Sequence, residues 1–310
     1  MSSPDTFNTL QTLSNNIAET VEQVGGAIVA INSGSRMSSS GIHWQSGIII
    51  TSDEALHRYE EITATLSNGQ TVPVNLIGRD PSTDVAVFKL PQTEIPVAKI
   101  GNAATLKVGH LVLGLARSNE GDIRAALGTV SVVSGAWRSM SGGNIDQFIR
   151  PDITLYRGFA GGSLVDAAGY VVGMNTSGRR GTALTIPAST INRVVNQLLA
   201  KGRMTRGYLG LGMQAVRLPS NLKTALNLTS ASGAIVVNVE PNGPADNAGV
   251  LIGDVIITFD NSVVNDTGDI LALLNSGDRV GKAVKLQIIR GGALVELEIV
   301  VAEKSVTSDQ

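Results

Sequence analysis

Residues 152–165 read Asp-Ile-Thr-Leu-Tyr-Arg-Gly-Phe-Ala-Gly-Gly-Ser-Leu-Val. This stretch is the strongest indication of the fold in the first part of the chain. Three glycines, Gly158, Gly161 and Gly162, surround Ala160. They predict a tight elbow, because glycine adopts backbone conformations that other residues avoid. The apolar residues that follow predict a strand over 163–166. Ala160, at the centre of the elbow, has a methyl side chain, and a methyl group cannot attack a carbonyl carbon.

Short apolar runs precede and follow this elbow. Residues 7–24 carry apolar side chains at steps of three or four and predict a helix that ends at Gly25-Gly26. A second helix is predicted over 188–201, after a long series of short runs that is typical of a barrel or sandwich. These runs predict strands over 27–32, 47–51, 61–66, 71–78, 84–90, 109–116, 126–134, 163–166, 170–175 and 182–186.

A second unit follows a short linker. Residues 201–207 are interpreted as the linker, 208–304 as the second unit and 305–310 as a tail. The second unit is predicted to contain strands near 209–216, 234–239, 254–260 and 283–301, with short helices over 244–248 and 267–275.

Several motifs resemble those of the high-temperature-requirement A (HtrA) family of serine proteases. The elbow is similar to that family's G-[N/F]-S-G-G-P-L-V motif, with Ala160 in the serine position and Ser163 in the proline position. Residues 206–211, Arg-Gly-Tyr-Leu-Gly-Leu, are similar to its carboxylate-binding loop, and residues 242–256 to a helix and strand of its PDZ domain. The resemblance implies a mainly β fold: a two-barrel chymotrypsin-like domain over 1–200, then a PDZ domain, an α+β sandwich, over 208–304.

The resemblance also locates the positions of the catalytic triad. The strand that ends in the family's general base reads Ile-Ile-Ile-Thr-Ser-Asp-Glu over 48–54, so that Glu54 occupies the histidine position. The family's D-P-x-T-D motif matches residues 80–84, so Asp84 occupies the position of the orienting aspartate. Acyl transfer needs an attacking oxygen and a base that removes its proton. We therefore expect a catalytically inactive homologue, a pseudoprotease that is not an enzyme.

Two interpretations of Glu54 and Asp84 are open. They are either solvated remnants, or a like-charge pair in which one pKa is raised, and which shares a proton, binds a cation or takes a partner from Arg58 or Arg157. None of the three histidines, His43, His57 and His110, is expected to restore activity. Ser163 lies past the elbow, where a strand begins, and is a poor candidate for the nucleophile.

The backbone N–H groups of the elbow do not depend on which side chains the elbow carries. The N–H groups of Gly158 and Ala160 are expected to form a residual oxyanion hole that binds a carbonyl or carboxylate. The resemblance implies a specificity pocket between residues 153–158 and 174–182, and regulatory loops over 118–149. Arg179 and Arg180 are either simply exposed or attract an acidic segment, and Trp137 either packs on the barrel or anchors a contact.

The PDZ-like unit carries the better-preserved binding site. Its loop is expected to present consecutive backbone N–H groups to a peptide C-terminus, and the next strand to accept the peptide as an added strand. The predicted peptide-binding residues are Tyr208, Leu209, Gly210, Leu211, Met213, Ile270, Leu271 and Leu274.

The net charge, the cysteine count and the N-terminal residues of the chain bear on which ligands it binds and in which cellular compartment it lies. A net charge of −2 argues against nucleic-acid and anionic-membrane binding, and the absence of cysteine excludes disulfides and thiolate metal sites. No metal or organic cofactor is expected. No signal peptide is visible, so a cytoplasmic location is predicted, with an extracytoplasmic one as the alternative.

The predicted function is the capture of peptide segments or protein C-termini by a scaffold, regulator or chaperone-like module. The resemblance implies a homotrimer, or a hetero-oligomer with an active relative. The alternatives are an active HtrA-type endopeptidase and a purely structural subunit.

Overall fold

The computed structural model describes residues 4–34, 39–56, 62–91, 94–139, 141–178, 181–275 and 279–303. The chain divides into two compact units, Met1–Met204 and Thr205–Gln310. None of the helices in the described ranges combines the length and the apolar character that a membrane crossing needs.

The first unit begins with the predicted N-terminal helix, α1, which spans Pro4–Gly25. Ile17 and Val21 pack against the main core of the unit, whereas Leu10 and Leu13, nearer the start, are exposed. The helix therefore docks through its C-terminal half.

An antiparallel seven-stranded sheet follows, with the spatial order β5-β4-β1-β2-β3-β7-β6. Its strands are β1 (Ile28–Asn32), β2 (Ser39–Gln45), β3 (Ile48–Thr51), β4 (Thr63–Thr65), β5 (Thr71–Pro73), β6 (Asn75–Asp80) and β7 (Val85–Lys89). Apolar patterning did not predict β2, because its Ser-Ser-Gly-Ile-His-Trp-Gln sequence contains few apolar residues, although all but the last of them are buried.

The second part of this unit is a closed barrel with the order β12-β15-β14-β13-β8-β9. Its strands are β8 (Leu111–Arg117), β9 (Ile123–Ser134), β12 (Phe148–Asp152), β13 (Ser163–Asp166), β14 (Val171–Ser177) and β15 (Ala183–Pro187). A small hairpin of β10 (Trp137–Arg138) and β11 (Asn144–Ile145) lies between β9 and β12. The expected loops over 118–149 thus consist largely of strand.

The helix α2 (Ala188–Lys201) ends the unit, and Gly202 closes it in the left-handed conformation. Its apolar face, including Ile191, Val194 and Leu198, joins Ile50 and Val87 of the seven-stranded sheet and Leu115 and Met174 of the barrel in one core cluster. This shared core holds the two sheets together, and the catalytic positions of the family's motifs lie on the loops that leave them.

The described residues of the second unit form a small β structure with three short helices. Its strands are β16 (Gly207–Tyr208), β17 (Leu211–Arg217), β18 (Ser232–Val239), β19 (Val255–Phe259), β20 (Ser262–Val263), β21 (Ala283–Arg290), β22 (Ala293–Val300) and β23 (Ala302–Glu303). Its helices are α3 (Ser220–Ala225), α4 (Pro244–Asn247) and α5 (Thr267–Asn275). The main sheet has the order β17-β18-β19-β21-β22, which places β17 at an edge.

Candidate functional site

The glycine-rich elbow connects β12 to β13. Gly158 and Gly161 have φ angles of 92° and 80°, in the left-handed region that favours glycine. The turn is closed by hydrogen bonds from Phe159 N to Tyr156 O (3.1 Å) and from Gly162 N to Phe159 O (3.0 Å). Phe159 is buried, and Ala160 presents its methyl group at the half-buried apex.

The amides and the carbonyls of the predicted oxyanion hole differ in their hydrogen bonding. Within the described ranges, no acceptor takes a hydrogen bond from the backbone N–H of Gly158 or Ala160. The carbonyl groups of the same two residues are occupied, because Ser40 donates to both of them. In the elbow, the N–H groups of Gly158 and Ala160 have no described hydrogen-bond partner, whereas the carbonyls of the same residues both have one.

Asp84 lies under the cleft with a positive φ of 59°, in the turn between β6 and β7. Its carboxylate accepts hydrogen bonds from the Ser52 hydroxyl (2.7 and 2.9 Å), from the backbone N–H of Glu54 (2.8 Å) and from the Thr176 hydroxyl. Burial raises the pKa of Asp84 to about 6, against the lowering effect of these hydrogen bonds; the charge of Glu54 adds a small upward contribution.

One of the two open interpretations, the like-charge pair, included a raised pKa and attributed it to repulsion between the carboxylates. Glu54 itself is exposed, while Asp84 is half-buried. Desolvation of Asp84, rather than repulsion between the two carboxylates, is the dominant effect.

No described histidine hydrogen-bonds to Asp84. His43 is buried on β2, where its Nδ1 lies 2.9 Å from the Pro96 carbonyl and its Nε2 accepts from the Gly47 amide (3.3 Å). His110 accepts a hydrogen bond from the Lys107 amide on a distant turn. His57, together with the proposed partner Arg58, lies outside the described residues.

The other residues that the sequence analysis singled out near the elbow differ in their burial. Ser163 is fully buried, and among the described residues its hydroxyl has no partner. Trp137 is half-buried and stacks edge-on to Phe148, with 5.3 Å between ring centroids. Arg179 and Arg180 of the predicted pocket loop lie outside the described residues, and Arg157 is exposed.

The peptide-binding residues predicted for the second unit cluster around the N-terminal end of β17. Gly210 has a φ of 73°, and a Cβ there would lie 3.3 Å from the Cβ of Glu240. The carbonyls of Leu209 and Gly210 accept from the amides of Ala245 and Glu240, but no described residue accepts from the amides of Leu209 or Gly210. The loop thus offers two free donors beside a strand edge.

The helix α5 packs against β16 and β17, and we call the surface between α5 and the edge strand β17 the groove. Ile270 and Leu274 are buried in the core of the unit, whereas Leu271 is 46% exposed. Leu211 and Met213 on β17 and Tyr208 on β16 are half-buried. Of the predicted apolar residues, Leu271 is therefore the one on the helix that faces solvent.

An ion pair between the half-buried Arg290 and the buried Asp254 fixes the turn after α4. Arg290 binds Asp254 with two hydrogen bonds of 2.8 and 2.7 Å, and it also donates to the Gly249 carbonyl. Although burial raises the pKa of Asp254, hydrogen bonds from Arg290 and Leu251 and the charge of Arg290 bring it below its usual value. The motif over 242–256 is thus held by charge as well as by packing.

Sequence reasoning missed four residues that shape the cleft: Ser40, Ser52, Arg117 and Thr176. All four are buried and polar, and each is bound to the elbow, to Asp84 or to a residue that contacts the elbow. Thr176 lies in the loop assigned to the specificity pocket, so its position gave a signal; Ser40 and Arg117 gave none.

Both units of the chain match known protein families. A family model described as trypsin-like peptidase domain matches residues 39–174, and one described as PDZ domain matches residues 207–301. A probable periplasmic serine endoprotease, DegP-like, from Pseudomonas savastanoi pv. phaseolicola is 33% identical over 82% of this chain and 53% of its own length. The relative of the same name from Chlamydia pneumoniae is 31% identical over 83% and 53%. The chain spans about half the length of these curated relatives.

Solved structures match nearly the whole chain. The HtrA-type protease AlgW with tripeptide has a TM-score of 0.77 at 27% identity and covers 93% of this chain and 97% of its own. The serine endoprotease from Yersinia pestis has a TM-score of 0.75 at 25% identity, covering 93% and 98%. The predicted fold class, mainly β with a chymotrypsin-like domain before a PDZ domain, is confirmed.

These relatives contradict the prediction that the chain is not an enzyme. They are named serine endoproteases and HtrA-type proteases, and the model that matches residues 39–174 is a peptidase domain. The side chains at positions 54 and 160 were therefore insufficient grounds for excluding the peptidase class. By domain order, sequence and fold, the chain belongs to the HtrA/DegP family, in which a trypsin-like peptidase domain is followed by a PDZ domain.

Proposed function

We propose that this chain binds extended peptide segments or protein C-termini through its PDZ domain. The observation that carries the proposal is the groove between β17 and α5, where an edge strand and two unbonded amides, those of Leu209 and Gly210, lie together.

Each part of the groove has a role in peptide capture. The free edge of β17 supplies main-chain hydrogen bonds to an added strand, and the amides of Leu209 and Gly210 are donors for a terminal carboxylate. Leu271 and Met213 offer apolar contacts to the side chains of the peptide. Because a hydrogen bond from a backbone N–H to a charged carboxylate is stronger than one to a neutral carbonyl, a free C-terminus is the preferred ligand.

The solved relatives support the class of ligand. Structures of AlgW contain a decapeptide or a tripeptide. In our proposal the captured segment is held for a scaffolding, regulatory or chaperone-like purpose.

Fluorescence polarisation with labelled decapeptides tests this function. The probe is a set of decapeptides that end in an apolar residue, each prepared with a free C-terminal carboxylate and with a C-terminal amide. Leu271→Lys is expected to weaken binding about ten-fold or more, while Val263→Lys, an equally exposed apolar residue on β20, leaves it unchanged. Equal binding of carboxylate and amide forms, or equal effects of the two variants, would refute the groove.

The names of the relatives favour a second candidate function, endoproteolysis. The free amides at Gly158 and Ala160 would stabilise an oxyanion, whereas the methyl group of Ala160 offers no attacking oxygen. Incubation with casein tests this candidate, with Asp84→Asn as the comparison. Peptide release that Asp84→Asn abolishes supports proteolysis; release no greater than in buffer rejects it and leaves peptide capture standing.

Assembly and location are further parts of the proposal. We infer a homotrimer or a hetero-oligomer with an active relative, and the periplasmic names of the relatives favour an extracytoplasmic location over the cytoplasmic one predicted from sequence. Light scattering of the chain, alone and mixed with an active HtrA relative, tests assembly; a monomer in both samples would reject it. Fractionation of cells that express the full-length protein tests the location.

A further inference from the structure

Ser40, on β2, is bound to the elbow at two points. Its backbone N–H donates to the Ala160 carbonyl (2.9 Å), and its hydroxyl donates to the Gly158 carbonyl (2.6 Å). The residue is fully buried, and its own carbonyl accepts from the Thr51 hydroxyl at 2.6 Å. These hydrogen bonds fix Ser40 in place, and Ser40 restrains the elbow through the two bonds that it donates.

This contact restrains the direction of the Ala160 amide. The peptide plane before that of the Ala160 amide contains the Gly158 carbonyl, and the plane after it contains the Ala160 carbonyl. Both carbonyls accept a hydrogen bond from Ser40. The plane between them ends in the Phe159 carbonyl, which accepts from Gly162. Three consecutive peptide planes are therefore restrained, and rotation of any one of them breaks a buried hydrogen bond.

The same serine hydroxyl is bound by Arg117 at the end of β8. The backbone N–H of Arg117 donates to Ser40 Oγ (2.9 Å), so the hydroxyl accepts from one segment and donates to another. Consecutive hydrogen bonds of this kind polarise and strengthen each other.

The side chain of Arg117 continues the connection to the N-terminal helix. Its guanidinium donates to the carbonyls of Gly25 (2.6 Å), Ile28 (2.5 Å) and Gly121. Gly25 is the last residue of α1, and carbonyls at a helix C-terminus carry partial negative charge that attracts a cation. The side chain is buried, and desolvation lowers its pKa, partly offset by the charge of Asp122.

We propose that Ser40 is a positioning residue for the elbow and that Arg117 couples the docking of α1 to it. The series of contacts runs from Gly25 through Arg117 and Ser40 to the carbonyls of Gly158 and Ala160. Displacement of α1 takes the Gly25 carbonyl away from Arg117, shifts the end of β8 and loosens the elbow. The N-terminal helix thereby sets the geometry of a loop more than 130 positions away in sequence, and this inference does not depend on peptide binding by the PDZ domain.

Hydrogen–deuterium exchange of the full chain tests the coupling. The amides of Phe159, Gly161 and Gly162 report on the elbow, because each donates a backbone hydrogen bond, and residues 22–27 report on the end of α1. The variants are Ser40→Ala, Arg117→Met and the matched control Ser39→Ala. Ser39 is the buried neighbour whose hydroxyl has no partner in the described part of the chain.

The coupling predicts a different pattern for each variant. Ser40→Ala should raise exchange in 156–162 roughly five-fold and leave 22–27 unchanged, because it removes the hydroxyl's bonds to Gly158 and to the Arg117 amide but not the bond from the Arg117 side chain to Gly25. Arg117→Met should raise exchange in both segments, and Ser39→Ala in neither. If Arg117→Met does not fold, Arg117→Lys, which keeps the charge but has a single nitrogen, should give the same pattern at smaller amplitude.

Three results would overturn the proposal. In the first, Ser40→Ala matches Ser39→Ala in segment 156–162. In the second, the arginine variant frees α1 while exchange at the elbow stays at the parent level. A general loss of protection across the barrel strands in Ser40→Ala would also overturn it, since that pattern indicates a packing role only.

Discussion

The replacement Asp84→Asn should stabilise the first unit at neutral pH. Burial raises the pKa of this carboxyl from 3.8 to about 6, in spite of hydrogen bonds from Thr176, Glu54 and Ser52 that favour its charged form. An asparagine has nearly the same shape. Its amide oxygen can accept from the Glu54 N–H, and its NH2 group can donate to the hydroxyls of Ser52 and Thr176.

The sign and size of the effect follow from proton linkage. Because the folded-state pKa lies above the unfolded value, the contribution of Asp84 to stability is fully present below about pH 3.8 and is lost as the pH rises through about 6. A shift of this size corresponds to ~3 kcal/mol at 1.36 kcal/mol for each pKa unit. Asp84 is half-buried, and solvent screening reduces the expected loss to ~2 kcal/mol.

Urea unfolding between pH 4 and pH 7.5 measures this loss. Tryptophan fluorescence reports on the first unit alone, because Trp44 and Trp137 are the two tryptophans of the chain. The free energy of unfolding of Asp84→Asn, relative to the parent chain, should rise by ~2 kcal/mol across this range. Asp152→Asn, the same change at an exposed position of the unit, should follow the parent.

Parallel curves for Asp84→Asn and the parent chain would refute the reasoning. They would mean that the hydrogen bonds compensate fully for the burial of the charge. A relative gain at low pH instead of neutral pH would mean that the carboxylate form stabilises the fold.

Three other predictions concern catalysis and stability. Glu54→His combined with Ala160→Ser should raise the rate of casein cleavage about ten-fold or more over either single variant, because nucleophile and base act as a unit; a double variant no faster than the singles contradicts this. Ser163→Ala should stabilise the first unit by ~1 kcal/mol in urea titrations, since it removes a buried hydroxyl without a described partner; a loss of stability would reveal a hydrogen bond to that hydroxyl. Arg290→Met should destabilise the PDZ unit by ~2 kcal/mol at pH 7 in calorimetry, because it leaves the carboxylate of Asp254 buried and unpaired. The pKa of Asp254 is lowered in the fold, so this cost should shrink as the pH falls below 4; a cost that does not change with pH would contradict the ion pair.

Periodic apolar segments and glycine motifs were sufficient to predict most of the architecture. The helix α1 was predicted over 7–24 and spans Pro4–Gly25, because its apolar spacing is regular and two glycines end it. The strand β2 was missed, because Ser39, Ser40 and His43 are buried through hydrogen bonds and close packing that no hydropathy pattern records. Residues 283–301 were predicted as one strand, but a turn at Gly291-Gly292 divides them into β21 and β22.

The candidate site was predictable where motifs are local and not where partners are distant. The positions of Asp84 and Gly210 followed from short motifs with a fixed spacing. The partners that tune Asp84 come from two separate segments, residues 52–54 and the strand of Thr176, and Thr176 is 92 positions away in sequence. Contacts of this range depend on how the two sheets pack, which a single sequence does not specify.

The burial of Arg117 also has a consequence for the order of folding during synthesis. The carbonyls of Gly25 and Ile28 leave the ribosome about ninety residues before the arginine that satisfies them. A nascent chain that ends before residue 117 therefore carries an N-terminal helix whose last turn has no cation to dock against, and long-range contacts of this kind form late. The N-terminal helix is consequently exposed to chaperones and proteases until the barrel strands have been made.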